Sequence, residues 1–397
     1  MPLADGDDTI YLDHAATTPV DPAVVEAMLP FFSEQFGNPS SIYRLGQDGR
    51  AALDQSRGIA ASALACEASE ILFTGGATES NNLALIGVAW QRRLTNPDAP
   101  MPHIVTTTIE HHAVIHATEW LERQGFDVTY VPCDDQGAID PAMIEAAIRP
   151  ETCLISVMQA NNEVGVIQPI AEIGAIARRK GILFHTDAVQ AAGVLPLSVD
   201  ALTVDLLTLS AHKFYGPKGV GLLYVRKGTP IAYQQHGGGQ EGGRRGGTEN
   251  VPGIVGMAVA LQRADQTREE YNRHCQALRD QLWKGIQAAL PDAQLNGPVD
   301  FANRLPNNLN FAIPGVQGET MLLSLDMQGI AASAGSACTT GNSEPSHVLK
   351  ALGLSDERCR ASLRLTVGRG NTADEIDEVI DSLVETVARV RELVGVA

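Results

Sequence analysis

Several short stretches of this chain place reactive residue types among small, turn-forming neighbours. Phe73-Thr-Gly-Gly-Ala-Thr-Glu-Ser80 follows an apolar run and precedes a helical pattern over residues 81–90. Glycines let backbone N–H groups approach an anion closely, and a helix start adds a favourable dipole, to which Thr78 could add its hydroxyl. A Thr or Ser N-cap behind a glycine turn accounts for the same letters. No Gly-Lys-Ser/Thr follows, so the stretch is not a Walker A loop. His185-Thr-Asp187-Ala-Val-Gln190 ends another apolar run, where Asp187 reads as a helix cap, a metal ligand or the charge partner of a bound ring. Ser210-Ala-His212-Lys213-Phe-Tyr-Gly-Pro-Lys-Gly219 sets a lysine directly behind a buried run. Lysines avoid such places unless paired or catalytic, although an exposed surface lysine is the simpler reading of Lys213 alone. In Ala334-Gly-Ser-Ala-Cys338-Thr-Thr-Gly341, a thiol sits in a loop of small residues. Reactive thiols need exposure, whereas most free cysteines are small buried hydrophobes, as the settings of Cys66, Cys133, Cys153, Cys275 and Cys359 suggest. His111-His112 follows a further strand end, where a ring could stack on a ligand; a metal site would need a third ligand that the sequence does not offer.

The elements that must position these residues are legible as periodicity. Apolar runs at Ile71-Leu-Phe-Thr74, His103-Ile-Val-Thr-Thr107, Val128-Thr-Tyr-Val131, Leu154-Ile-Ser-Val157, Ile182-Leu-Phe-His185, Leu206-Leu-Thr-Leu209 and Val220-Gly-Leu-Leu-Tyr-Val225 alternate with helical spacings such as 141–148 and 170–180. This alternation predicts an α/β fold, a mostly parallel sheet with helices on both faces. Ligands on such sheets sit beyond the carboxyl ends of the strands. Beyond residue 260 the pattern changes to a long helix over 263–290, strand-like runs at 308–312, 330–333 and 362–367, and a closing helix with Ile376, Val379, Ile380, Leu383, Val387 and Val390 on one face. A smaller α+β domain is expected there. We place a large domain over 15–260 and a small one over 1–14 together with 261–397.

At 397 residues, 44% of them hydrophobic and 19% charged, the chain has the composition of a soluble two-domain protein. Its net charge of −18 argues against a general nucleic-acid binder, which needs a basic face. The acidic start MPLADGDDTIYLD has neither signal-peptide nor transit-peptide character. No apolar stretch approaches the ~20 residues of a membrane span. The six cysteines are scattered without a C-x-x-C pair, which fits free thiols in a cytoplasmic setting. Residues 237–247, GGGQEGGRRGG, read by composition alone as a flexible linker.

Taken together and in order, these motifs resemble the cysteine desulfurases of the NifS/IscS group, within the class V aminotransferase-like, fold type I pyridoxal-phosphate (PLP) enzymes. The likeness runs from Tyr11-Leu-Asp-His-Ala-Ala-Thr-Thr-Pro19 to the final helix. It takes in Phe36-Gly-Asn-Pro-Ser-Ser41, Asn161-Asn-Glu-Val-Gly165, Ser210-Ala-His-Lys213, Arg244-Arg-Gly-Gly-Thr-Glu-Asn250, Gly335-Ser-Ala-Cys338 and Glu344-Pro-Ser-His347. It implies that Lys213 carries PLP as a Schiff base, that His111 stacks on the ring, and that Asp187 pairs with the ring nitrogen to keep it protonated. It implies Gln190 and Asn162 near the ring's phenolic oxygen, and Ala77, Thr78, Ser210 and His212 around the phosphate. Thr248 resembles the residue that reaches the neighbouring subunit's phosphate, which implies a homodimer with shared sites. Arg364 and Asn162 resemble the residues that receive the substrate carboxylate, a task suited to a guanidinium fork.

The implied reaction takes sulfur from L-cysteine, leaving L-alanine and a persulfide on Cys338 for a sulfur acceptor or scaffold protein, with His111 managing protons on the substrate thiol. Selenocysteine lysis and transamination are alternatives on the same fold, and a non-catalytic sulfur carrier is an alternative from another class. The sequence departs from the group's pattern at Gly242 and Gly246, where relatives often carry larger residues, and at Ala334, where Ser is common. It ends at Ala397, where many relatives continue into a tail that contacts the scaffold. The resemblance therefore implies the reaction more directly than delivery to an iron–sulfur scaffold.

Overall fold

In the computed structural model, which describes residues 9–334 and 345–394, each of the early apolar runs becomes a strand. The chain enters with β1 (Ile10–Tyr11). Next come β2 (Ile71–Thr74), β3 (His103–Thr107), β4 (Asp127–Val131), β5 (Thr152–Ser156), β6 (Leu183–Asp187), β7 (Leu206–Ser210) and β8 (Gly221–Val225). These last form a seven-stranded sheet in the order β2-β8-β7-β6-β5-β3-β4. The pairs from β4 through β7 are parallel, and β8 runs antiparallel to both β7 and β2. Six of the seven strands therefore point the same way, and their carboxyl ends share one edge.

The sheet is mostly parallel because both its faces are covered, as the residues show. β2, β3, β7 and β8 are buried at every position. Side chains alternate between faces, so Ile71 and Phe73 join one cluster with Leu53, Ile144, Ile173 and Met257, while Leu72 joins another with Leu85, Val114 and Leu121. Each fully buried Leu or Ile contributes about 1.5–3 kcal/mol relative to exposure. Helix Ile170–Lys180 stops at Gly181, whose φ of +68° suits a residue without a side chain.

The second core lies on β9 (Gln294–Leu295), β10 (Asn308–Ala312) and β12 (Ser362–Thr366), an antiparallel sheet in the order β12-β10-β9; β11 (Ile330–Ala331) pairs in parallel with β1. Helices Arg268–Ala289 and Ala373–Val394 pack there through Cys275, Leu282, Ile286, Ile376, Val379 and Leu383, together with Leu12 from the chain's start. The expected helix over 263–290 differs from the structure. Helix Val251–Gln266 ends at Thr267, whose hydroxyl bonds back to the Arg263 carbonyl at 2.9 Å, and Arg268–Ala289 begins there. The first helix buries Met257 and Leu261 in the large core, and the second buries Cys275 and Leu282 in the other core. A continuous polar–apolar pattern conceals this change of partner, because neither Gly nor Pro marks it.

Candidate active site

The shared carboxyl edge gathers the predicted residues. The turn at 75–78 follows β2, His111 follows β3, Asn162 follows β5, Asp187 ends β6, and Ser210 ends β7 with His212 and Lys213 just beyond. All of these, with Gln190 and Arg364, line one cavity of about 1100 Å³. Ala77 and Thr78 open helix Ala77–Thr95, whose start no side chain caps. Two predicted residues stand apart: Thr248 is exposed and does not line the cavity, and Cys338 lies outside the described residues.

Lys213 is half-buried, and its Nζ donates to the carbonyls of Ala15 at 2.7 Å and Ala16 at 2.6 Å. Burial lowers its pKa to about 8; the nearby Arg364 guanidinium acts in the same direction, while Asp13 and Asp187 oppose it. Asp187 is buried and takes hydrogen bonds from Asn81 Nδ2 at 2.6 Å and from the Val189 N–H at 3.0 Å. These contacts fix the carboxylate and leave further lone pairs for a ligand.

His111 caps helix His112–Arg123, its Nδ1 accepting the Ala113 N–H at 3.0 Å. That bond assigns the neutral ring's proton to Nε2. Burial lowers the His111 pKa, with Asp187 opposing and Lys213 reinforcing the shift. The His212 pKa falls to about 4, first through burial and then through Lys213 and Lys218. His112 continues into ring contacts with His116 and His347. Among the described residues, no group of three His, Cys, Asp or Glu side chains is arranged to hold a metal.

Arg364 rises from β12 of the second core into the same cavity. Its Nη2 pairs with Asp13 at 2.7 Å and its Nη1 donates to the Asn162 carbonyl at 2.9 Å, while Nε is buried and has no partner among the described residues. Asp13 was not singled out by the sequence reading, yet it occupies the fork expected to receive a carboxylate. The motif that carries it does more. The Ala15 carbonyl also accepts Gln190 Nε2 at 3.1 Å, and the Thr17 hydroxyl meets His212 Nδ1 at 3.1 Å. Residues 13–18 thus run as a strap beneath Lys213, Gln190, His212 and Arg364. The signal was the Asp-His-Ala-Ala-Thr-Thr string, whose contacts to residues about 200 positions away leave no trace in local periodicity. Asn81, which holds Asp187, was missed for the same reason.

The glycine-rich stretch at 237–247 is not a linker. Its Glu241 carboxylate is buried, forks onto Arg57 at 2.7 and 2.9 Å, and accepts the Phe73 N–H at 3.1 Å. Arg244 donates to the carbonyls of Ser69 and Ile71, and Arg245 pairs with Glu79. Composition pointed to flexibility because glycine dominates it; the few charged residues decide otherwise. Elsewhere, burial pushes the thiols of Cys66, Cys153 and Cys275 up to about 12 and that of Cys133 up to about 11, so they are weak nucleophiles at neutral pH. No helix among the described residues is long and apolar enough to cross a membrane.

A mostly parallel seven-stranded sheet with a lysine, an aspartate and a helix start on its carboxyl edge is the framework of a fold type I PLP enzyme. The model of the aminotransferase class-V family matches residues 10–379, and the chain belongs to that PLP-dependent family. It is 47% identical over 384 residues to the cysteine desulfurase IscS of Clostridium botulinum, covering 97% of this chain and 96% of that one. Among solved structures, a NifS-like protein aligns with a TM-score of 0.88 and 38% identity over 96% of this chain and 99% of the other. SspA in complex with cysteine aligns with a TM-score of 0.77 and 38% identity over 91% of this chain and 99% of the other.

Proposed function

We propose that the protein is a PLP-dependent cysteine desulfurase, which converts L-cysteine to L-alanine and leaves the sulfur as a persulfide on Cys338. The observation that carries this reading is the convergence of Lys213, Asp187, His111 and Arg364 on one cavity, in a chain so similar to proteins named for that reaction. The residues present fit the cofactor. An uncapped helix start suits a phosphate, a fixed carboxylate suits a protonated ring nitrogen, and a lysine with its pKa lowered to about 8 suits imine formation. When bound, PLP supplies an electron sink for charge developing at the substrate Cα.

The chain's own residues do the rest. Arg364 and Asn162 orient the substrate carboxylate, with Asp13 giving up its place on the guanidinium. Lys213 Nζ takes the proton from Cα, and the neutral ring of His111 exchanges protons with the substrate thiol. Gln190 stands by the ring's phenolic oxygen, and Ala77, Thr78, Ser210 and His212 hold the phosphate. Cys338 Sγ, as thiolate, attacks the substrate sulfur. The S–S bond forms, the C–S bond breaks, and its electron pair stays on carbon, where protons complete the methyl group of alanine. The persulfide then passes to an acceptor, such as an iron–sulfur scaffold protein.

The working unit is a homodimer in which Thr248 reaches the neighbouring site. Large exposed apolar side chains concentrate at Leu29, Phe32, Phe36, Ile42 and Tyr43. Those last two lead into helix Arg44–Leu64, which packs on the helix opening three residues after Thr248. The test is to incubate the PLP-loaded protein with L-cysteine, quantify alanine, and locate the added sulfur by peptide mass spectrometry. Alanine matched by sulfur on the Cys338 peptide is expected. If Cys338→Ser produced alanine and sulfide at the unaltered rate, the role given to that thiol would be wrong.

A further inference from the structure

The turn read as the phosphate cradle contains an acid that is out of place there. Glu79 follows Thr78 and lines the cavity. Its Oε2 folds back to accept the Gly75 N–H at 2.7 Å. A Cβ on residue 75 would lie 2.9 Å from that oxygen, so a side chain there would push the carboxylate off the turn. The bond fixes the turn, but it also sets a negative charge beside the place where a phosphate dianion would bind, and like charges repel.

Arg245 answers that charge from the glycine-rich stretch. Its Nε lies 2.5 Å from Glu79 Oε1 and its Nη2 3.2 Å from Oε2, a two-pronged pairing. Arg245 itself does not line the cavity. Of the other acids close to it, Glu241 is committed to Arg57, and Glu249 is buried one residue past Thr248.

We infer that Glu79 and Arg245 form a charge-compensated brace for a phosphate monoester. Glu79 shapes the cradle, and Arg245 cancels the repulsion that this shaping introduces. The brace also ties the Thr248 segment to the turn it serves. Both are positioning residues, and the inference rests on the reading of residues 75–78 as the phosphate site.

The experiment is a titration of PLP-depleted protein with PLP, followed by imine absorbance, for wild type, E79Q, R245M, R245K and E79Q/R245M, at low and high salt. R245M is expected to hold PLP at least about tenfold more weakly, because it leaves Glu79 uncompensated. Relative to wild type, that loss shrinks at high salt, as screening requires and lost packing would not. R245K, which keeps the charge, and E79Q/R245M, which removes both charges, each return to within about threefold of wild type, as does E79Q alone. If the double variant or R245K were as weak as R245M, or if the loss ignored salt, the brace would be overturned while the cradle reading stood. A wild-type chain that took up no PLP would overturn both.

Discussion

The sheet edge that lines the cavity and the glycine-rich stretch behind its phosphate turn are held in place by different physics. Asp187, Ser210, His212 and Lys213 stand at the ends of β6 and β7, where the ladder of a sheet buried on both faces sets their positions. The stretch at 237–247 has little regular structure and few apolar side chains. It is held by Arg57–Glu241, Arg245–Glu79 and the Arg244 contacts to β2 and the turn before it. At the sheet edge a side chain can be exchanged for its chemistry alone, because the backbone stays put. In the glycine-rich stretch the side chains are the scaffold, and losing its most buried tether, Arg57–Glu241, moves the chain.

Lys213→Ala tests the first half of that contrast with the largest effect expected. It removes the amine from a position the sheet has already fixed, so desulfuration falls by about a thousandfold or more while thermal unfolding shifts little. Activity assays beside calorimetry check this; a chain that unfolded many degrees earlier would contradict it. Glu241→Ala tests the second half. It takes the carboxylate from the Arg57 guanidinium, whose side chain is 16% exposed, and leaves it the Ile71 carbonyl at 2.8 Å. Breaking a buried pair on one side costs about 3–5 kcal/mol, read from denaturant unfolding, with cofactor retention falling alongside. If stability were unchanged, the tethers would not be what holds this stretch.

The same division decides what the sequence disclosed. Strands buried on both faces leave unbroken apolar runs, and the half-exposed edge strand β4 keeps its Val and Tyr residues, so β2 to β8 and the residues at their carboxyl ends could be placed within a residue or two. Lys213, Asp187 and His111 inherited that accuracy, although each had a plainer reading until all were considered together. Residues that act through tethers were invisible. Asp13 facing Arg364, Asn81 holding Asp187, and Glu241 gripping Arg57 across 184 positions depend on the folded chain for their meaning. Glycine-rich composition misled for a related reason, since propensity describes the backbone and three ionic side chains overrode it. The break at Thr267 was missed because amphipathic spacing reports that a helix has a buried face, not which core buries it.

Arg364→Lys probes a residue that belongs to both classes, since β12 sets its backbone and Asp13 with the Asn162 carbonyl sets its fork. Lysine keeps the charge but cannot grip Asp13, the carbonyl and a substrate carboxylate in one plane. KM for L-cysteine is expected to rise by about tenfold or more, the worth of one charge-assisted hydrogen bond, with kcat reduced less. A fall in kcat with KM unmoved would mean that the fork acts on the chemical step and not on binding.

The smallest expected effect concerns the Lys213 proton, where sheet edge and strap meet. Imine formation needs the neutral amine. Burial and the Arg364 charge bring the Lys213 pKa down to about 8 from the ordinary 10.5, so the neutral form dominates above that pH. The rate at which PLP-depleted protein captures PLP should therefore climb through a midpoint near 8, with a free lysine analogue under the same conditions climbing only near its ordinary value. Asp13 opposes this depression, because its carboxylate favours the ammonium form. Asp13→Asn removes that negative charge and leaves Arg364 less neutralised, and both changes favour the neutral amine. Its midpoint must move to lower pH, and Asp187→Asn must move it the same way. Stopped-flow absorbance across pH reads each midpoint. A shift upward in Asp13→Asn would mean that the strap sets the lysine's proton through its carbonyls at Ala15 and Ala16, and not through the charge of Asp13.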